Sequence, residues 1–205
     1  MVSLVISGFG TVGQGVAEVL LRRKEFLTGR YGAVPKVVCV MDSKTVAKDP
    51  EGLDLAQVVK RKQETRSVGE ERYTDSLEVL DSVDYDLLIE VTPTDIKTGG
   101  VGLKNITHAF ECGKDVITVN KGPLALEFSR LIGLARENGC KFRFEGTVGG
   151  AMPLINLWHE NLVGENIRSI RGIFNGTCNY ILSKMDKGQP YEHALKEAQQ
   201  LGYAE

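Results

Sequence analysis

The sequence predicts a doubly wound α/β fold, and three observations carry that prediction. Short runs rich in Val, Ile and Leu recur at residues 2–6, 36–41, 85–91, 115–119 and 141–144. Their composition is that of parallel strands buried on both faces. Stretches of helical period separate several of them, with Leu103, Ile106 and Phe110 on one face of the clearest. The first run ends directly in Gly8-Phe9-Gly10-Thr11-Val12-Gly13. Strand–helix alternation of this kind builds an open, mostly parallel sheet.

The glycine sequence G-x-G-x-x-G gains force from its context, after a strand and before a helix. Val12, Val16, Val19 and Leu20 form the apolar stripe of that helix. Gly8 permits a sharp turn, Gly10 a close backbone approach to a pyrophosphate, and Gly13 tight packing of helix on strand. The free N–H groups of the first helical turn would face the phosphates. An ordinary strand-to-helix turn is the competing reading.

The charged residues after this helix, with Gly29, Gly32 and Pro35, read as a loop. Residues 36–41 are the second strand, and Asp42 stands at its tip. An acid there takes the adenosine ribose hydroxyls, although this one lies 29 positions after Gly13. Ser43 and Lys44 follow and suit a ribose 2′-phosphate. Asp42 thus argues for NAD and Lys44 for NADP. Residues 45–75 are polar and give little pattern beyond a helix at 53–62 and a mobile loop at 63–71. The next strand, 85–91, ends in Thr92-Pro93-Thr94, at the carboxyl edge where ligands bind. Thr98 is placed as the cap of a helix running to Cys112. Residues 115–119 lead to Asn120-Lys121-Gly122-Pro123, and Pro123 suits the first turn of a helix over 124–138. Lys121, at a strand tip, is a candidate donor to a carbonyl oxygen, against the commoner fate of a surface ion pair.

The glycine-rich stretch 145–153, E-G-T-V-G-G-A-M-P, ends the first domain. The expected division is 1–145 for dinucleotide binding and 146–205 for the beginning of an α+β catalytic or dimerisation domain. Glu145 and the carbonyls after it are oxygen donors suited to a hard cation; chemistry alone favours a hinge without an ion. Beyond it, residues 154–161 read as helix, 167–174 as strand, 177–185 as helix and 191–201 as helix. Asn175-Gly176-Thr177-Cys178-Asn179-Tyr180 gathers small polar donors where a helix N-terminus would meet a carboxylate. Cys178 invites a nucleophile reading, but a small packed cysteine is the preferred one.

Composition narrows the classes. Apolar residues make 42% and charged residues 25% of 205, with net charge −2. Nothing there steers the chain to nucleic acid or an anionic membrane. No run approaches the roughly 20 apolar residues of a membrane span. Four cysteines without a C-x-x-C pair read as reduced thiols of a cytoplasmic protein.

At these motifs the chain resembles homoserine dehydrogenase. G-F-G-T-V-G, V-N-K-G-P-L-A, E-G-T-V-G-G-A-M-P and G-I-F-N-G-T-C-N-Y-I-L stand in the family's order and spacing. The resemblance implies a Rossmann-type domain and NAD(P)-dependent, reversible reduction of L-aspartate 4-semialdehyde to L-homoserine, on the route to threonine and methionine. It implies cofactor contacts at Gly8, Phe9, Gly10, Thr11, Val12, Gly13, Asp42, Ser43, Lys44, Thr92, Pro93, Asn120, Lys121 and Gly202, with Lys121 at the reaction centre. It implies substrate contacts at Gly176, Thr177, Tyr203 and Glu205. It implies a sodium ion held by Glu145 with the backbones of Val148, Gly150 and Met152, and a homodimer at full length. The family's motif at 198–205 continues into an acidic segment carrying substrate-binding aspartates and a second catalytic lysine. The implied expectation is that these residues form the first two-thirds of the enzyme and turn over slowly alone. Two other classes remain as alternatives, a nucleotide-sensing module without turnover and an acylating semialdehyde dehydrogenase using Cys178.

Overall fold

The computed structural model describes residues 2–203. They divide into two compact units, Met1–Phe144 and Glu145–Glu205. In the first unit seven strands form one sheet: β1 (Ser3–Ser7), β2 (Lys36–Met41), β3 (Thr45–Lys48), β4 (Glu71–Arg72), β5 (Leu87–Glu90), β6 (Asp115–Thr118) and β7 (Phe142–Arg143). Their order is β4-β3-β2-β1-β5-β6-β7. β2, β1, β5, β6 and β7 pair in parallel, with Leu4 opposite Leu87 and Leu87 opposite Asp115. The chain runs from β1 outward to β2, then crosses back to β5, so the switch point lies between β1 and β5.

The expected all-parallel sheet holds for these five strands and fails at one edge. β3 returns antiparallel along β2, and β4 along β3. The cause is local: Asp42 and Thr45 close a hairpin around Ser43 and Lys44, and two residues reverse a chain where a parallel crossover needs a dozen. The polar stretch 45–75 hid both strands because each is short and lies toward the edge.

Six helices accompany the sheet: α1 (Thr11–Arg22), α2 (Lys24–Tyr31), α3 (Leu55–Thr65), α4 (Ser76–Asp81), α5 (Gly100–Glu111) and α6 (Lys121–Glu137). Alternate strand residues serve opposite faces. Leu4, Ile6 and Val40 pack with Ala17, Leu55 and Val58 of α1 and α3. Val5, Val38 and Met41 pack with Val79, Ile106, Phe110, Leu131 and Ala135 of α4, α5 and α6. Burial on both sides explains why these strands read as unbroken apolar runs.

Several boundaries move. Residues 24–31 are helix α2, not loop; Lys, Glu, Leu and Arg are good helix formers, and Gly32 stops the helix at φ +79°. On α1 the sheet-facing residues are Gly13 and Ala17, with Val16 and Leu20 beside them, while Val12 and Val19 are exposed. A helix that begins against a strand end must approach through its smallest side chains. α5 starts at Gly100, and the Thr98 hydroxyl accepts from the Gly100 N–H at 3.2 Å. The 63–71 stretch is tied down, since Val68 is 1% exposed and its N–H donates to Thr45 Oγ1 at 3.1 Å.

The second unit opens on a 3₁₀ turn at Glu145–Thr147, followed by the one-turn helix α7 (Leu154–Asn156), which widens over Leu157–Asn161. Helices α8 (Gly176–Asp186) and α9 (Tyr191–Gln200) pack around Ile181, Ala194 and Ala198. The strand expected at 167–174 does not form. A strand exists through its ladder, and among the described residues this run pairs with none. Among the described residues the regular elements of the second unit are all helical.

Candidate functional site

Four strand tips of the first unit carry the residues the sequence singled out. The three glycines of the β1–α1 turn divide by what surrounds them. A Cβ on Gly8, at φ +97°, would lie 2.6 Å from the Val91 carbonyl, and one on Gly13 would lie 2.2 Å from the Gly8 oxygen. The fold itself demands these two glycines. A Cβ on Gly10 would meet nothing within 4 Å. Protein packing gives no reason for glycine there, and a ligand pressed to the backbone gives one.

Gly10 is the N-cap of α1. No side chain caps this end, and no acid lies in the first turn. By contrast Asp54, Asp75 and Asn120 cap α3, α4 and α6 through side chains. The N–H groups of Thr11, Val12 and Gly13 thus carry the positive end of a 12-residue helix without an internal partner. Thr11 and Val12 are exposed there. Phe9 contributes only backbone, since its side chain is 1% exposed within the core.

At the β2 tip Asp42 is 7% exposed. Its Oδ1 accepts from the Lys44 and Thr45 N–H groups at 2.8 and 2.7 Å and from Thr45 Oγ1 at 3.1 Å. Its Oδ2 lies 2.6 Å from Lys62 Nζ. Burial pushes this carboxyl up, but the Lys62 ammonium and the two N–H groups outweigh it and hold it below the ordinary carboxylate value. The Tyr73 hydroxyl donates to the Asp42 carbonyl. Asp42 therefore shapes the hairpin that presents Ser43 and Lys44, both exposed.

The β5 and β6 tips are bound together. Asn120, 1% exposed, accepts from the Gly122 N–H at 3.2 Å and donates Nδ2 to the Thr92 carbonyl at 3.2 Å and Oγ1 at 3.3 Å. A Cβ on Gly122 would lie 2.4 Å from the Asp95 carbonyl oxygen. Beneath them Glu90, wholly buried, accepts from the Thr92 N–H at 2.8 Å, from the Thr92 hydroxyl and from Asn105 Nδ2 at 3.0 Å. Burial raises its pKa against these donors. Lys121 is the first residue of α6 and is exposed, with no ion-pair partner among the described residues. The helix dipole disfavours a cation there by about 0.3–1 kcal/mol. Pro93 is exposed at the same edge.

In the second unit Glu145 accepts from the Ile155 and Asn156 N–H groups at 3.0 and 2.7 Å, one per carboxylate oxygen. It caps α7, and each oxygen keeps a further lone pair. The Met152 carbonyl accepts from the Leu154 N–H at 2.9 Å. The carbonyls of Val148 and Gly150 accept no backbone hydrogen bond among the described residues, so this loop retains oxygen donors fit for a hard cation. Gly176 and Thr177 open α8, which Asn175 caps through the Cys178 N–H at 2.7 Å. Thr177 Oγ1 donates to the Tyr203 carbonyl, and the Tyr203 ring packs 5.1 Å from that of Tyr180. Gly202, at φ +73°, ends α9. Glu205 lies outside the described residues. Cys178 is exposed, not packed as expected, because the small core of this unit is built from Ile181, Ala194 and Ala198.

Lys62, Tyr73 and Asn105 support the site and had no signal of their own in the sequence; Glu90, an acid closing an apolar strand, stood out of pattern.

A family profile described as the NAD binding domain of homoserine dehydrogenase matches residues 8–145, and one described as homoserine dehydrogenase matches 153–205. Homoserine dehydrogenase of Methanocaldococcus jannaschii is 46% identical over 98% of this chain, and that of Bacillus subtilis 36% over 97%. The chain spans 61% and 42% of their lengths. Among solved structures, a hyperthermophilic archaeal homoserine dehydrogenase in complex with NADPH is 30% identical, with a TM-score of 0.83 over 98% of this chain and 61% of that one. The Thermoplasma acidophilum homoserine dehydrogenase is 26% identical, with a TM-score of 0.83 over 97% and 60%.

Proposed function

The chain belongs to the homoserine dehydrogenase family, and from that premise we propose that it serves the NAD(P)-dependent interconversion of L-aspartate 4-semialdehyde and L-homoserine. The observation that carries the cofactor half is the contrast among the glycines. The fold needs Gly8 and Gly13 through close contacts, whereas Gly10 has open space around it at an uncapped helix end, which supports a ligand pressed to its backbone.

A bound reduced nicotinamide supplies the hydride. The chain's own part is binding, orientation and charge. The N–H groups of residues 11–13 receive the pyrophosphate. NADP(H) is the favoured form, because the Asp42 carboxylate is already matched by Lys62, leaving Ser43 and Lys44 facing outward. Thr92 and Asn120 line the nicotinamide end. Lys121 orients and polarises the reacting carbonyl oxygen and holds the negative charge that grows there. Its exposed, unpaired place at a helix start, a local cost without structural return, supports that role. On the second unit, Gly176, Thr177 and Tyr203 are the proposed substrate contacts. Glu145 with the Val148, Gly150 and Met152 carbonyls is the proposed sodium site. The place in threonine and methionine synthesis, the homodimer and the cytoplasm complete the reading. Cys39, Cys112, Cys140 and Cys178 as free thiols support a reducing compartment.

Two measurements test this. Fluorescence titration with NADPH should show one site. In the protein carried on through the acidic segment that follows the 198–205 motif in the family, NADP⁺ with L-homoserine should then raise absorbance at the reduced-nicotinamide band. NADPH binding without turnover in that longer protein would favour a sensing module and overturn the dehydrogenase reading.

A further inference from the structure

At the opposite edge of the first unit's sheet, three side chains of metal-ligand type converge. His108 and Cys112 stand four residues apart at the end of α5, on one face of the helix. Asp81 closes α4. His108 Nε2 lies 2.8 Å from Asp81 Oδ1 and 3.7 Å from Cys112 Sγ. All three donor atoms lie within 4.8 Å of one another. The connections lead from here into the starts of β5 and β6, so the cluster is remote from the dinucleotide edge.

The geometry argues against a nucleophilic triad. In a triad the carboxylate and the thiol use different ring nitrogens. Here both face the same one, Nε2. One nitrogen cannot serve two acceptors with one proton, yet three donors aimed at a common point are what a metal ion requires.

We propose that Asp81, His108 and Cys112 bind a borderline-soft divalent transition metal of the zinc class, with the fourth position open to solvent. Tetrahedral zinc with Zn–S of about 2.3 Å and Zn–N of about 2.0 Å would set N and S about 3.5 Å apart. The 3.7 Å separation of Nε2 and Sγ already meets that. Asp81 must withdraw by about 0.6 Å to make room, and its side chain is 62% exposed and free to turn. Binding exchanges the His108–Asp81 contact for two metal bonds and releases the Cys112 thiol proton to solvent. Sulfur with imidazole and one carboxylate selects zinc-like ions over magnesium or calcium.

His108 also lines an open surface cavity of about 390 Å³ with Lys104, Thr107 and Glu111, so its side of the cluster is reached by solvent.

The test uses the reduced wild-type chain and Co²⁺ as the spectroscopic probe. One equivalent should produce a thiolate-to-cobalt charge-transfer band, and Zn²⁺ should displace it. Cys112→Ser should abolish the band. His108→Gln should weaken Co²⁺ binding by at least ~10²-fold, since even outer partners of ligands cost 10–100-fold. Cys140→Ser and Cys178→Ser should leave the band intact. Failure of the folded wild type to develop the band, or its persistence in Cys112→Ser, would overturn the assignment.

Discussion

Lys62 Nζ lies 2.6 Å from Asp42 Oδ2, and both groups are largely removed from solvent. The pair joins the end of α3 to the tip of β2, across 20 residues of sequence. It gives the Asp42 carboxylate a counter-charge beneath the Ser43-Lys44 turn. Lys62→Ala would leave Asp42 with its three other donors but no counter-charge. We expect a loss of about 1–3 kcal/mol in urea unfolding. We also expect NADPH affinity to fall ~10-fold or more while NADH affinity changes little, because a cation beside the turn favours the extra phosphate. Equal loss for both nucleotides would make the pair purely structural.

The glycine contrast separates fold from function. Gly10→Val places its side chain in open space, so the unfolding midpoint should stay within ~0.5 kcal/mol of wild type. NADPH binding should vanish in a fluorescence titration. Gly13→Ala should do the reverse at first sight, because its Cβ would stand 2.2 Å from the Gly8 oxygen. It should destabilise by several kcal/mol and lose binding only as the turn distorts. A Gly10→Val protein that binds normally would remove the pyrophosphate from this turn.

Much of the nucleotide edge was legible because it depends on local patterns. Strands buried on both faces are continuous apolar runs, and a glycine turn between strand and helix is contiguous in sequence. The supports were not legible, because they are distant partners. Nothing around Lys62 announces Asp42, and nothing around Asn105 announces Glu90 or Ser7, which its amide reaches at 3.0 Å each. The 167–174 run misled for the converse reason. Ile167, Ile170, Ile173 and Phe174 make a run rich in strand-forming residues, but pairing is a property of neighbours, not of the run itself.

In the second unit Glu197 fixes α9 to α8. Its carboxylate accepts from Lys184 Nζ at 2.7 Å, the Tyr180 hydroxyl at 2.6 Å and Gln189 Nε2 at 3.1 Å. Lys184 first, then Tyr180 and Gln189, lower its pKa from 4.5 to about 2. A depressed carboxyl stabilises the fold above its unfolded value and loses that contribution as pH falls through the folded one. The window is therefore about pH 4.5 down to 2. Glu197→Gln should flatten the decline in helical circular dichroism across that window, and an unchanged acid limb would show that the contact contributes nothing in solution.

Asn120 and Lys121 are adjacent, yet their replacements should behave oppositely. Asn120 caps α6 and grips Thr92 through two hydrogen bonds. Asn120→Ala removes the cap, at about 0.5–2 kcal/mol, and leaves the Thr92 carbonyl short of a donor, so stability should fall measurably. Lys121 is exposed and sits where the α6 dipole opposes its charge. Lys121→Ala should leave stability unchanged or slightly raised. If Lys121 acts on the reacting oxygen, the same change in the protein carried on through the family's acidic segment should lower kcat by at least ~10²-fold with NADPH affinity within a few-fold. Lys121→Arg keeps the charge but spreads it over a planar fork, and should recover little of that loss. A Lys121→Ala protein that turns over normally, or one that loses stability as Asn120→Ala does, would return Lys121 to the scaffold and leave the chemistry to other groups.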